Sequence, residues 1–156
     1  MTVRKTVYLG LGTNTGTREE NLVRAIEELS LALGNVSARS SFIETEPWGF
    51  ISKNRFLNCV VAFKTDKDPH ELLSITENIE RKLGRIKKTE DGIYHDRVID
   101  IDILLYDNIV VECEKLTIPH PLMHKRDFVL SPLNEIASDA VHPKMHKTIR
   151  ELIELL

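Results

Sequence analysis

An α+β fold, with helices laid on an antiparallel sheet, is predicted by two observations on this 156-residue chain. Residues 17–33 and 68–83 carry apolar side chains at helical spacing, whereas 7–11, 36–45, 56–64 and 98–106 alternate or run apolar as strands do. No Pro/Gly/Ser-rich linker, repeat or low-complexity stretch separates these segments, so residues 1–156 are read as one domain around one core.

Val7 to Leu11 is a short strand running into Gly10, Gly12 and Gly16. Thr17, with Glu20 three residues on, has the spacing of a capping box, so a helix starts there. Leu22, Ile26, Leu29 and Leu33 form its apolar stripe, Glu19, Glu20, Glu27 and Glu28 its wet face, and Gly34 its end. Val36 to Thr45 is the next strand, and Pro47, Trp48 and Gly49 open a loop. Phe56 to Lys64 returns as the second strand of a long hairpin, with Leu57, Cys59, Val61 and Phe63 toward the core. Asp68 and Pro69 supply an N-cap and an N1 proline for a second helix, which Leu72, Leu73, Ile75, Ile79 and Leu83 carry to a stop at Gly84. Arg81 to Lys88 holds five basic residues and no acidic one, and 89–96 has no periodicity, which predicts a mobile basic loop.

Val98 to Tyr106 is the strongest strand, with Ile99, Ile101, Ile103 and Leu105 on its core face. Short strands follow at Ile109 to Val111 and Leu116 to Ile118. Pro119, Pro121, Pro132 and Pro143 punctuate the rest, and Thr148 with Glu151 caps a last short helix. The order strand, helix, strand, strand, helix, strand is that of a ferredoxin-like βαββαβ antiparallel sheet with additional C-terminal strands and helices. Its helices are expected on one face, leaving the other free to carry a site.

At this length a packed core buries roughly two-thirds of the unfolded surface, so folding needs no disulfide or metal staple. Cys59 and Cys113 lie in apolar runs without CxxC spacing, as buried thiols in a reducing compartment do. No apolar run approaches the roughly 20 residues of a membrane span, and the opening MTVRKTVYLGLG has no secretory apolar region, so a cytoplasmic location is expected. A net charge of -3 argues against a general nucleic-acid binder.

Strand alternation puts Asp100 and Asp102 together on the face opposite the isoleucines, about 6 to 7 Å apart along the backbone. Two carboxylates so placed can converge on a hard cation or hold a pair of them; on an edge strand they can equally be a solvated face. Arg85, Lys87, Lys88 and Arg97 bracket the loop leading into this strand, where cations would reach a metal-bound phosphate chain or simply be solvated. Phe56 and Asn58 share the non-core face of their strand. With Phe128 they would suit a flat heterocycle, although both rings can also be ordinary core. His120, between two prolines, and Arg126 are read both ways too. Gly10 to Gly16 lacks the Gly-Lys-Ser/Thr ending of a P-loop, so any phosphate grip lies elsewhere.

Six stretches together carry a resemblance: Tyr8-Leu-Gly-Leu-Gly-Thr-Asn14, Glu44-Thr-Glu-Pro-Trp-Gly49, Phe56-Leu-Asn58, Gly84-Arg85, Arg97-Val-Ile-Asp-Ile-Asp-Ile-Leu-Leu-Tyr106, and Ile118-Pro-His-Pro-Leu-Met123 with Arg126 and Phe128. Over essentially its whole length the chain resembles the 6-hydroxymethyl-7,8-dihydropterin pyrophosphokinases of folate biosynthesis. The resemblance implies transfer of pyrophosphate from ATP to the pterin hydroxymethyl oxygen, with two magnesium ions (Mg2+) on Asp100 and Asp102. It implies Arg85 and Arg97 as catalytic cations on the triphosphate, assisted by His120 and Arg126. It implies ATP contacts at Leu73, Glu77, Ile103, Lys115 and Thr117. The pterin would lie between Phe56 and Phe128, its edge read by Asn58, Thr45 and the backbone near Trp48.

The chain departs from that pattern before Arg97, where Tyr94-His95-Asp96 replaces the family's Trp-Gly-Pro and the loop is about two residues longer; Tyr94 is the candidate covering aromatic. Phe56 lacks the hydroxyl of the tyrosine often found there. Lys87 and Lys115 replace common arginines and so lose the bidentate fork. A ferredoxin-like RNA-binding module would need interleaved basic and aromatic residues on 56–64, and a ligand-sensing domain would leave the two aspartates unexplained. The expected partners are small-molecule substrates, with no nucleic acid or membrane, for a monomer or weak homodimer.

Overall fold

The computed structural model describes residues 4–46, 54–84 and 98–156. Strand β1 (Lys5–Thr13) leads to helix α1 (Arg18–Leu33), short strands β2 (Ala38–Arg39) and β3 (Ile43–Thr45), and the long strand β4 (Phe56–Thr65). Helix α2 (Pro69–Lys82) and strand β5 (Asp100–Tyr106) follow. The C-terminal part holds β6 (Val111–Glu112), β7 (Thr117–Ile118), a 3-10 turn (Met123–Lys125), α3 (Asp127–Ala137), β8 (Val141–His142), β9 (Lys147–Thr148) and α4 (Ile149–Glu154). The main sheet is antiparallel, ordered β2-β4-β1-β5 with β3 also beside β4. None of the helices of the described residues is long and apolar enough to cross a membrane.

On one face α1 and α2 bury Val7, Leu9, Leu11, Cys59, Val61, Phe63, Ile101 and Ile103, as alternation predicts. Asp68 caps α2 through a full capping box, accepting the Glu71 N–H at 2.9 Å. Thr148 and Glu151 do the same for α4. The box expected at Thr17 does not form, for Thr17 makes no side-chain cap. Instead the Asn21 amide ties the turn together, donating to Thr13 Oγ1 at 3.2 Å and to the Thr15 carbonyl at 2.8 Å. Gly16, at φ 75°, supplies the left-handed step that this turn requires.

Two bulges break the simple alternation. The expected strand 36–45 divides at Ser40, whose N–H donates to the Val60 carbonyl while its hydroxyl accepts the Val60 N–H, both at 2.9 Å. That extra residue shifts the register by one, from Arg39 opposite Val61 to Ile43 opposite Asn58. In β5 the register with β1 shifts between Tyr8 and Leu9. Leu104 and Leu105 are therefore both in the second cluster, and Tyr106 rejoins the first, which corrects the placing of Leu105 among the isoleucines.

Helices on one face alone is also corrected. Val60, Leu104 and Leu105 make part of the second face apolar, and α3 and α4 cover it with Val129, Leu130, Leu133, Ile149 and Leu152. Among the described residues, the part of that face that α3 and α4 leave uncovered is the end around Gly12, Asn58 and Asp100. Cys59 is buried, its thiol pushed up to about 12 chiefly by burial, whereas Cys113 is exposed rather than buried as expected.

His142 is 4% exposed, and its Nδ1 accepts the N–H groups of Lys144 at 3.2 Å and Met145 at 3.1 Å, closing the β8–β9 turn. Burial, followed by the charges of His124, Lys144 and His146, holds its pKa below the ordinary 6.5. The unfolded chain therefore binds this proton more readily, so stability present above about 6.5 falls as pH drops below that value. His142→Asn keeps an acceptor that does not titrate. Urea midpoints measured from pH 7 to 5 should fall less steeply in this variant than in the parent protein.

Candidate active site

The antiparallel register builds the site. Gly12 of β1 lies opposite Asp100 of β5 on one side and Asn58 of β4 on the other, and Asn58 faces Ile43 of β3. One row therefore reads Asp100, Gly12, Asn58, Ile43 across four strands, at about 4.8 Å per strand. In the next row Gly10 separates Asp102 from Val60. Both aspartates are half-buried on the face opposite the isoleucines, as alternation requires.

Gly12 keeps the middle of this row bare. A Cβ there would stand 3.0 Å from Asn58 Oδ1 and 3.6 Å from the Phe56 ring. Asn58 is 6% exposed and donates from Nδ2 to Thr45 Oγ1 at 2.7 Å, which orients its amide. Thr45 in turn pairs with Phe56 at the last rung of β3 and β4. Phe56 is half-buried, so it is no ordinary core residue. Phe128, in the first turn of α3, is half-buried as well, with the Arg126 guanidinium 5.5 Å from its ring centroid.

His120 is anchored over β5 by its N–H, which donates to the Leu104 carbonyl at 3.0 Å. Burial, and then the Arg126 cation, push its pKa down to about 4, while Asp100 pulls weakly the other way. Its Nδ1 accepts the Leu122 N–H at 3.2 Å, so the neutral ring carries its proton on Nε2. His120, Arg126 and Asp100 thus belong to one electrostatic group, with Arg126 itself only 6% exposed.

Leu73 and Glu77 lie one helical turn apart on α2, both half-buried. Ile103 is 5% exposed and sits in the α1/α2 core, which leaves only its backbone for a ligand. Lys115 is exposed and Thr117 half-buried at the β6–β7 hairpin. Arg85, Arg97, Trp48 and Tyr94, with the predicted mobile basic loop, lie outside the described residues.

Glu80 was missed by reading the sequence. It is 6% exposed on α2, and its carboxylate accepts the Ile101 N–H at 2.8 Å, holding the backbone between the two aspartates from the open edge of β5. An acid on the buried stripe of Leu72, Thr76 and Ile79 was the available signal. Among the described residues no group of three or more His, Cys, Asp or Glu could hold a metal ion. A pair of carboxylates does fit magnesium, which takes one or two protein carboxylates and completes its shell with water and substrate phosphates.

An α+β domain whose sheet sets a carboxylate pair on β5 across β1 from an oriented amide and an aromatic ring on β4 is the class that fold and site define. The family model for 7,8-dihydro-6-hydroxymethylpterin-pyrophosphokinase matches residues 8–138. The chain is 48% identical over 139 residues to a 2-amino-4-hydroxy-6-hydroxymethyldihydropteridine pyrophosphokinase of Porphyromonas gingivalis, covering 88% of this chain and 94% of that protein. It is 41% identical over 146 residues to the Aquifex aeolicus protein of the same name, covering 94% and 89%. The fold is also like that of Plasmodium falciparum HPPK-DHPS, with a TM-score of 0.77 at 18% identity over 97% of this chain; the chain spans 44% of that structure. The chain belongs to the 7,8-dihydro-6-hydroxymethylpterin-pyrophosphokinase family.

Filling the bare row tests this geometry. Gly12→Ala should displace Asn58 and break its bond to Thr45, lowering stability by about 1 to 3 kcal/mol. The loss should be smaller when Asn58→Ala is already present, as urea denaturation of the double variant would show.

Proposed function

We propose that this protein transfers the pyrophosphoryl group of ATP to the hydroxymethyl oxygen of a 6-hydroxymethyl-dihydropterin, in folate biosynthesis. The observation that carries this reading is the row Asp100, Gly12, Asn58, with Asp102 in the next row, in which two carboxylates stand across β1 from an oriented amide. Family membership and the names of the relatives support the same reaction. The strand order β2-β4-β1-β5, with α1 and α2 on one face, supports the ferredoxin-like assignment.

In this reading the pterin hydroxyl oxygen bonds to the β-phosphorus, the bond from that phosphorus to the α,β-bridging oxygen breaks, AMP leaves, and the hydroxyl proton passes to solvent. Asp100 and Asp102 would hold two magnesium ions. Bound magnesium supplies charge neutralisation on the phosphates and lowers the pKa of the attacking hydroxyl. Asn58, held by Thr45, presents its amide to the edge of the flat ring, and Phe56 and Phe128 offer their faces. Trp48 completes the pterin side, and Arg85 and Arg97 grip the triphosphate. Leu73, Glu77, Lys115, Thr117 and the Ile103 backbone contact ATP. His120 donates from Nε2–H to a phosphate oxygen as a neutral ring, and the buried Arg126 adds charge beside it.

Asp100→Asn and Asp102→Asn should each lower the transfer rate about a thousand-fold at saturating magnesium while the fold stays intact, since the amide keeps the size and loses the charge. Rapid-quench assays of pyrophosphoryl transfer and circular dichroism check the two halves; near-normal turnover would reject the metal pair. Asn58→Ala and Phe128→Ala should weaken pterin binding about ten-fold and leave an ATP analogue nearly unaffected, as separate calorimetric titrations would show.

A further inference from the structure

The glycine-containing turn between β1 and α1 ends without a phosphate-binding signature, and its side chains reach elsewhere. Asn14 is 2% exposed and donates from Nδ2 to the Asn54 carbonyl at 3.3 Å. Arg18, the first residue of α1, donates from Nη1 to the next carbonyl, that of Arg55, at 2.9 Å. The same Nη1 lies 3.6 Å from Glu44 Oε1, which is 3.5 Å from Arg55 Nε, and Arg55 also pairs with Glu46 at 3.4 Å. One turn thus holds both the strand leaving through Glu44 and the strand arriving through Arg55.

A cation at the first position of a helix faces the positive end of its dipole, so α1 gains nothing from Arg18. Exposed ion pairs are individually weak, yet this side chain is only 31% exposed and combines a backbone bond with a carboxylate. What it restrains is the terminal rung of β3 and β4, where Thr45 pairs with Phe56 and where the Asn58 amide finds its partner. We infer that Arg18 is a positioning residue for the heterocycle end of the site: it fixes Thr45 and Phe56 through Glu44 and the Arg55 carbonyl, and so sets pterin affinity without touching the pterin. This inference rests on the pterin assignment made above.

The test compares Arg18→Gln, Arg18→Lys and Asn58→Ala by calorimetry with 6-hydroxymethylpterin, at saturating non-hydrolysable ATP analogue and magnesium, alongside titration of the analogue alone and thermal melting. Arg18→Gln should raise the pterin Kd about five-fold, leave the analogue's Kd unchanged and not lower Tm, because the dipole clash is relieved. Arg18→Lys, which keeps the charge, should recover part of the affinity. A lower Tm with both ligands weakened equally would make Arg18 merely structural and overturn the inference. Loss of pterin affinity in Asn58→Ala with none in Arg18→Gln would overturn the positioning role alone. Unchanged pterin binding in all three variants would overturn the pterin pocket, and the positioning role with it.

Discussion

The backbone ladder that β1 makes with β4 on one side and β5 on the other sets Asp100, Asp102, Phe56 and Asn58 relative to one another. Its hydrogen bonds put Gly12 between Asp100 and Asn58, and the absence of a side chain at Gly12 leaves room over β1 for the Asn58 amide and the Phe56 ring. Glycine weakens a strand interior, so its place in the central strand has to be repaid by what it permits. Here it permits Phe56 and Asn58 to lie close against β1. The Glu80 carboxylate holds the other side of β5 at Ile101, so the edge strand that carries both aspartates is fixed from the helix side as well as from the sheet.

Packing divides the second face into a closed part and an open part. The bulge in β5 adds Leu105 to the face where alternation already puts Val60 and Leu104, and α3 docks over them. That docking sets Arg126 and Phe128 at the start of α3, packs Phe128 against the second cluster and brings the Arg126 charge within reach of His120. The candidate site residues Arg126 and Phe128 therefore come from C-terminal elements that a bare βαββαβ sheet does not have. Ser41 secures the same joint, donating from N–H and hydroxyl to Glu135 of α3 at 2.9 and 2.7 Å.

Charge is arranged along the row. Acidic groups stand on β5 and the neutral amide on β4, while burial, followed by the Arg126 cation, keeps His120 unprotonated at neutral pH. A neutral imidazole whose Nδ1 is already engaged offers one directed donor, Nε2–H. Such a donor is directional, and it differs in kind from the diffuse attraction of a basic surface.

Much of this was legible in the sequence, because short-range rules govern it. Strand alternation alone placed Asp100 with Asp102 and Phe56 with Asn58, and Asp68 with Pro69 marked the start of α2, since period and capping depend only on neighbours along the chain. The failed cap at Thr17 shows the limit of such rules: Asn21 offered the same turn a different set of bonds. Only the tertiary structure decided that Asp100 and Asn58 share a row with Gly12 between them, that Leu105 leaves the isoleucine face, and that α3 and α4 cover part of the second face. Those outcomes follow from strand register and from packing between residues far apart in the chain, and a one-residue bulge reverses every side chain beyond it.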